Sequence, residues 1–215
     1  MSLVGIDFSL NSPAACVSKN NNYDFISFFN YGDRPWSKLP IKKAFHIHNE
    51  LMDIGAIKGI HYNRNVSSKT FLDREREKME DSMVIANLIN DYLKNHYKVK
   101  AFAIEGFSYG SKGNSFIDMI QYNSRVRQIL IESYGINNFY IFQPTKVKKL
   151  AGKGNCNKNY MFNAFKNNIL EDSNLDNSLL WKWSQDKVFI KDVPKPLDDL
   201  VDSYFILKLL ETLII

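Results

Sequence analysis

Twice in this chain an apolar run stops at a carboxylate: Ser2-Leu-Val-Gly-Ile ends at Asp7, and Val99-Lys-Ala-Phe-Ala-Ile ends at Glu105. Near-continuous apolar runs of this length read as buried strands. An ionised group at such a place is costly unless it is paired or bound to a metal. A third set of acids, Asp198, Asp199 and Asp202, stands far away in Pro196-Leu-Asp-Asp-Leu-Val-Asp-Ser-Tyr, at the start of a predicted helix. Positions three apart share a helix face, and positions four apart nearly do, so Asp202 projects with Asp199 or with Asp198. First-turn acids also stabilise a helix through its dipole, but three within five residues exceed that need. Scattered along the sequence, these groups meet only through folding. Strand-end carboxylates lie where open α/β sheets build sites. Hard cations such as Mg²⁺ prefer carboxylate oxygen, and two of them about 3.5–4 Å apart activate a water and stabilise the leaving oxygen of a phosphodiester. The acids therefore point to metal-dependent nuclease chemistry. The local alternatives are a turn cap at Asp7 through Ser9 or Asn11, and a salt bridge from Glu105 to a nearby Lys or Arg.

A length of 215 residues fits one domain, 1–215, with inserted elaborations. Hydrophobic content of 45% and aromatic content of 13% are globular values. No apolar stretch approaches the roughly 20 residues that span a bilayer, and the first residues lack the basic and apolar segments of a signal peptide. The expectation is an intracellular, cytoplasmic protein without a membrane partner. Cys16 and Cys156 have no second Cys or His at zinc-like spacing and read as free thiols. His46 and His48 are a candidate zinc pair with no further ligand at suitable spacing, so they read as surface or core histidines. The net charge of +5 is unevenly spread: Lys146, Lys148, Lys149, Lys153, Lys158 and Lys166 fall between Ile141 and Leu170 with no Asp or Glu among them. Such a stretch neutralises phosphates or simply forms a solvated face.

Residues 2–8, 14–20 and 23–30 read as three strands of an antiparallel meander, separated by Asn11-Ser-Pro and Asn20-Asn-Asn. Residues 31–68 lack clear periodicity and read as an insertion. A long helix is predicted from Lys69 to Tyr97, with Met79, Met83, Ala86, Ile89 and Leu93 as its core stripe opposite Arg74, Glu77, Asp81 and Asn90. There follow the strand to Glu105, a loop rich in Gly and Ser, a helix at 115–133, and a strand at 136–142 closed by Gln143-Pro-Thr. This alternation predicts parallel strands with helical crossovers, hence an α/β fold with a mixed five-stranded sheet flanked by helices. Residues 171–194, with Trp181 and Trp183, read as a second insertion, and Leu197 to Leu213 as a C-terminal helix with Val201, Phe205 and Leu209 along one side.

With its acids in this order, the chain resembles the RuvC family of Holliday junction resolvases, members of the ribonuclease H-like superfamily. Gly5-Ile6-Asp7, Ala103-Ile104-Glu105 and Asp199-Leu-Val-Asp202 match that family's metal-binding positions, which favours Asp199 over Asp198. The similarity covers roughly residues 1–30, 69–170 and 195–212, and its lysine- and asparagine-rich make-up resembles a viral or phage member, which would work in the host cytoplasm. The resemblance implies a ribonuclease H-like fold in which Asp7, Glu105, Asp199 and Asp202 hold two Mg²⁺ ions, with Mn²⁺ as a substitute. It implies cleavage of four-way DNA junctions to 5′-phosphate and 3′-hydroxyl ends by a homodimer, with helix 115–133 as the expected interface. Lys148 and Lys158 match the family's lysines near the scissile strand, and Lys158 is the candidate transition-state stabiliser. Lys146, Lys149 and Lys153 extend the DNA contact. Phe107 and Tyr109 stand where the family carries an aromatic wedge that stacks on bases, or else pack on the second helix; Lys112 is within the same loop as a phosphate contact.

Three rivals remain open to the sequence. One is a broader endonuclease acting on forks and flaps; another is a catalytically silent junction-binding protein. The third is an actin-like or sugar-kinase-like ATPase, suggested by Gly5-Ile-Asp-Phe-Ser but lacking further Gly-rich nucleotide motifs.

Overall fold

The computed structural model describes residues 1–30, 39–64, 66–107, 113–189 and 192–214. Strands β1 (Ser2–Asp7), β2 (Ala14–Lys19) and β3 (Asn22–Phe29) form the expected antiparallel meander. β4 (Lys58–His61) adds parallel to β3, β5 (Val99–Glu105) parallel to β1, and β6 (Phe139–Phe142) parallel to β5. The sheet order is β4-β3-β2-β1-β5-β6, six strands where the sequence predicts five. The additional strand, β4, has the sequence Lys-Gly-Ile-His and only one half-buried apolar residue, Ile60, too little for a period to register. It lies with helix α1 (Leu39–Asp53) inside the stretch 31–68, so that stretch extends the sheet and is not merely a surface loop.

The period of two along each strand divides side chains between two layers. Val4, Ile6, Ala15, Val17, Ile26, Phe28, Phe102 and Ile104 face a core shared with α2 (Phe71–His96) and α3 (Asn114–Tyr134). Ala14, Cys16, Tyr23, Phe25, Ala101 and Ala103 face the other core, built by α1, α4 (Pro144–Leu150), α5 (Lys158–Lys166), α6 (Leu179–Ser184) and α7 (Leu197–Ile214). Among these helices α7 is central. It packs on β1, β2 and β5, and Leu200, Val201, Ser203, Tyr204, Phe205, Ile206 and Leu207 are all buried, on more than the one side its sequence suggests. Close approach to β1 requires Gly5, because a Cβ there would lie 2.4 Å from Ser203 O and from Leu207 N.

Helix α2 buries Ala86, Ile89 and Leu93 of the predicted stripe, but departs from it in its N-terminal half and at Asn90, which is buried. Met79 and Met83 are exposed, while Ser82, Ile85, Ala86, Ile89 and Leu93 are buried. Asp81, placed by the sequence on the solvent side, is buried because Arg64 Nε at 2.9 Å and the Tyr122 hydroxyl at 2.7 Å both donate to its Oδ2. The stripe is thus rotated toward a satisfied carboxylate, a compensation that periodicity does not reveal. β6 starts only at Phe139, after a 3₁₀ turn at Ile136–Asn138. The Trp-bearing stretch is woven into the α7 side: Leu175 and Leu180 are fully buried, Trp181 Nε1 donates to Lys166 O, and Trp183 Nε1 donates to Glu50 on α1. Both cysteines are buried and free. On α1, His48 is buried against Phe29 while His46 faces solvent, so they do not form a pair. Among the described residues no helix is long and apolar enough to cross a membrane.

Candidate active site

β1 and β5 lie side by side and parallel, with Gly5 opposite Ala103 and Ile6 opposite Ile104. Asp7 and Glu105 follow as the next residues, at the same end of adjacent strands. Because alternate residues share a face, Asp7 points with Gly5, and Glu105 with Ala101 and Ala103, toward α7. Gly5 lets α7 approach β1 at Ser203 and Leu207, and one turn earlier on the helix Asp199 and Asp202 stand three residues apart.

The four acids act on one another. Burial raises the Asp7 carboxyl well above its ordinary value, and the charges of Asp199, Asp202 and Glu105 raise it further. Burial, then Glu105 and Asp199, pushes Asp202 from 3.8 to about 7. Burial pushes Glu105 from 4.5 to about 7, against the opposing charge of Lys148. Burial comes first in this pattern and like charge adds to it at Asp7 and Asp202, a combination that marks candidate functional sites.

Asp198 and Asp199 are distinguished by their partners. Asp199 Oδ2 accepts from Ser12 Oγ at 2.6 Å and from Ser9 Oγ at 3.2 Å, both in the β1–β2 turn, while Lys195 Nζ donates to its Oδ1. Ser9 thus serves Asp199 and does not cap the turn for Asp7. Asp198 Oδ2 pairs with Lys158 Nζ and lies 3.6 Å from Lys195 Nζ, and its Oδ1 has no hydrogen-bond partner among the described residues. Asp199 leads the charges acting on Asp7, where Asp198 does not figure, and outweighs Asp198 at Asp202. The charge of Asp199 thus weighs on both Asp7 and Asp202, while Asp198 is paired with Lys158.

Gln143, whose φ and ψ are extended, and Pro144 at the helix start open α4, which carries Lys146, Lys148 and Lys149 directly after β6. Lys148 is half-buried and near Glu105; Lys146, Lys149 and Lys153 are exposed. Asn157 caps α5 by accepting from Tyr160 N–H, which places Lys158 as the first helical residue, facing Asp198. Phe107 is packed on α3, edge-on to Phe116 with ring centroids 6.3 Å apart, and the Arg127 guanidinium lies 4.4 Å from the centre of its ring. Tyr109 and Lys112 lie outside the described residues. The sequence reading missed Ser9 and Ser12 as supports of Asp199, and Lys195 altogether. A signal was available for the last, since a Lys three and four residues before two acids at a helix start is placed to reach both.

An all-carboxylate donor set of this kind suits a hard divalent cation in its chemistry. Among the described residues, no three His, Cys, Asp or Glu side chains are gathered closely enough to enclose one ion in the arrangement shown. Lys195 and Lys158 spend carboxylate oxygens that a metal would need.

A mixed sheet that begins with an antiparallel meander, continues with parallel strands through helical crossovers, and lays a last helix across its first strand defines the ribonuclease H-like fold. Solved structures share it across almost the whole chain. RuvC of Thermus thermophilus matches at TM-score 0.52 and 13% identity, over 99% of this chain and 96% of that one. The same protein in complex with a Holliday junction substrate matches at TM-score 0.52 and 11% identity, over the same shares of the two chains, 99% and 96%. The yeast mitochondrial Holliday junction resolvase Ydc2 matches at TM-score 0.50 and 14% identity, over 95% of this chain and 75% of that one. At identities of 11–14% the likeness is one of fold. No protein-family model and no curated protein sequence matches the chain.

Proposed function

We propose that this protein is a divalent-metal-dependent endonuclease that cuts four-way DNA junctions. The observation that carries this reading is the meeting of acids from two strand ends and one helix start, with the charges of Glu105 and Asp199 raising both Asp7 and Asp202. The fold shared with two junction resolvases, one of them solved with a junction substrate, supports DNA as the partner.

Asp7, Glu105, Asp199 and Asp202 would hold Mg²⁺ or Mn²⁺. When bound, such ions activate the attacking water and stabilise the departing 3′ oxygen. Ser9 and Ser12 fix the rotamer of Asp199 so that one oxygen remains directed into the site. Lys148, beside Glu105, and Lys158, beside Asp198, are placed to neutralise charge on the scissile phosphate. Lys146, Lys149 and Lys153 extend positive charge along the flanking backbone. Phe107, held by Phe116 and Arg127, offers a fixed ring for stacking on bases, and Tyr109 and Lys112 join this reading by sequence alone.

Symmetric cutting of a junction requires two active sites, hence a homodimer. Exposed apolar side chains support it: Ile117 on α3, the helix expected to form the interface, and Met79, Met83 and Val84 on neighbouring α2.

The test is cleavage of a synthetic four-way junction with Mg²⁺, comparing wild type with Glu105→Gln. Cutting is expected to vanish while junction binding persists. Equal cutting by both proteins refutes the assignment, and a panel of forks, flaps and linear duplex separates a junction-selective enzyme from a broader one.

A further inference from the structure

Each carboxylate has two oxygens, and those of Asp199 are unequally placed. Oδ2 is held from one side by Ser12 at 2.6 Å and Ser9 at 3.2 Å, hydroxyls that fix it against the β1–β2 turn. Oδ1, the oxygen left over, carries the Lys195 ammonium. That ammonium also lies 3.6 Å from Asp198 Oδ2, and its charge opposes the repulsion that Asp7 feels from its acidic neighbours. Lys195 therefore sits among the acids as a monovalent cation supplied by the chain itself. Its side chain is 38% exposed while that of Asp199 is 3% exposed, so the lysine reaches solvent and, where it sits, screens the carboxylate from it. Lys158 differs: it is half exposed, and its bond is to Asp198 Oδ2, away from the Asp7 side.

We infer that Lys195 is a built-in competitor for the divalent cation, covering the one oxygen of Asp199 that the serines leave free and surrendering it when a metal enters. This rests on the metal-binding reading of the acid cluster given above. An ammonium and a divalent ion cannot share Oδ1, since both must approach it along the same open side. In the metal-free protein the lysine offsets repulsion among acids drawn together by the fold. On metal entry the ammonium swings out into the cleft, where a phosphate of bound DNA provides its next partner. Metal affinity is thereby reduced by the fraction of molecules in which Oδ1 is free.

The experiment is calorimetric titration of the full chain with Mn²⁺ alone, without DNA, alongside thermal unfolding with and without the metal. Lys195→Gln and Lys195→Met are both expected to bind Mn²⁺ more tightly, by about threefold to tenfold, because the competitor is gone. Their metal-free forms are expected to unfold at lower temperature than wild type, and Mn²⁺ to raise their midpoints by more. Lys158→Gln removes an equal charge from Asp198 and controls for the general field; it is expected to tighten binding by less. The inference is overturned if neither Lys195 variant binds Mn²⁺ more tightly than wild type, or if Lys158→Gln tightens it equally. Asp7→Asn separates the two levels. Loss of Mn²⁺ binding in Asp7→Asn with no tightening in the Lys195 variants sinks only the competitor, whereas unchanged binding in Asp7→Asn sinks the metal site and the competitor together.

Discussion

Helix α7 handles buried carboxylate in opposite ways along its length. Further down the helix, Tyr204 and Lys208 reach Asp172: the Tyr23 hydroxyl at 2.7 Å, the Tyr204 hydroxyl at 3.0 Å and the Lys208 ammonium at 3.1 Å converge on its Oδ2. Its Oδ1 accepts from Asn174 N–H at 3.1 Å. Burial would raise this carboxyl, but the hydrogen bond from Tyr23 and the charge of Lys208 outweigh it and hold the group below its ordinary range. At the N-terminal end the balance reverses. Asp7, Glu105, Asp198, Asp199 and Asp202 share Lys158, Lys195 and the nearby Lys148; burial pushes Asp7, Glu105, Asp198 and Asp202 upward, and neighbouring acids push Asp7, Asp198 and Asp202 further. A buried acid that serves structure is supplied with donors until its charge is favourable. A group of acids left short of positive charge stores a demand for a cation, and the comparison therefore separates scaffold from site by chemistry alone.

Removing the Asp172 carboxylate breaks the satisfied side of this contrast and carries the largest expected effect on folding. Asp172→Ala leaves two phenols and an ammonium short of their acceptor, and is expected to cost about 3 kcal/mol in urea unfolding, the lower end for a broken buried pair because Lys208 keeps Glu211 at 2.6 Å. Cutting per folded molecule should be unchanged. The mirror experiment is Asp7→Asn, which relieves repulsion: unfolding should shift little or move to higher temperature, while junction cleavage falls at least about a hundredfold, or about 2.7 kcal/mol of barrier. An Asp7→Asn protein that unfolds readily and still cuts would erase the distinction.

The two regions should also respond to pH in opposite directions. Glu105 and Asp202 have folded values raised from 4.5 and 3.8 to about 7, so in the metal-free protein they bind protons more tightly when folded. The stability they contribute is complete below the unfolded values and is lost as pH rises through about 7. Asp172 has a lowered folded value, so its contribution is present above 3.8 and is lost as pH falls through the folded value. Urea midpoints of metal-free protein should decline from about pH 5 to about pH 8. Glu105→Gln should flatten that decline, and Mn²⁺ should restore stability at the upper end. A wild-type profile that rises over this range contradicts the repulsive picture.

The smallest expected effect concerns Ser12. Its hydroxyl holds Asp199 Oδ2, and a hydrogen bond to a charged group is worth about 1.5 kcal/mol at the low end, so Ser12→Ala should slow junction cleavage about tenfold. The measurement is the cleavage rate at saturating Mg²⁺, read beside an unfolding midpoint expected to fall by a few degrees. A rate equal to wild type would mean that the rotamer of Asp199 is fixed by other contacts.

Much of the sheet was legible because buried strands write continuous apolar runs: β1, β2, β3 and β5 lie within a residue of where the sequence puts them. The acids at the ends of β1 and β5 were legible for the same reason, as charges interrupting apolar stretches. β4 was not, since four residues of which three are exposed carry no period. Nor was the inward face of α2, because the compensation of Asp81 comes from Arg64 and Tyr122, 17 and 41 residues away in sequence. Ser9 and Ser12 read only as turn residues, although they hold an aspartate 190 and 187 positions further on.

By itself the sequence determined which residues are acids, that two of them end buried strands, and that two more share the first turns of a helix. Periodicity and charge are local properties, and local properties survive in a one-dimensional string. Tertiary structure alone decided that Gly5 lets α7 lie against β1, that Ser9 and Ser12 hold Asp199 while Lys158 takes Asp198, and that Lys195 stands on the remaining oxygen of Asp199. Each of these depends on the distance between side chains brought together by folding, and electrostatic interaction in a partly desolvated cleft falls off too steeply with distance for separation in sequence to stand in for it.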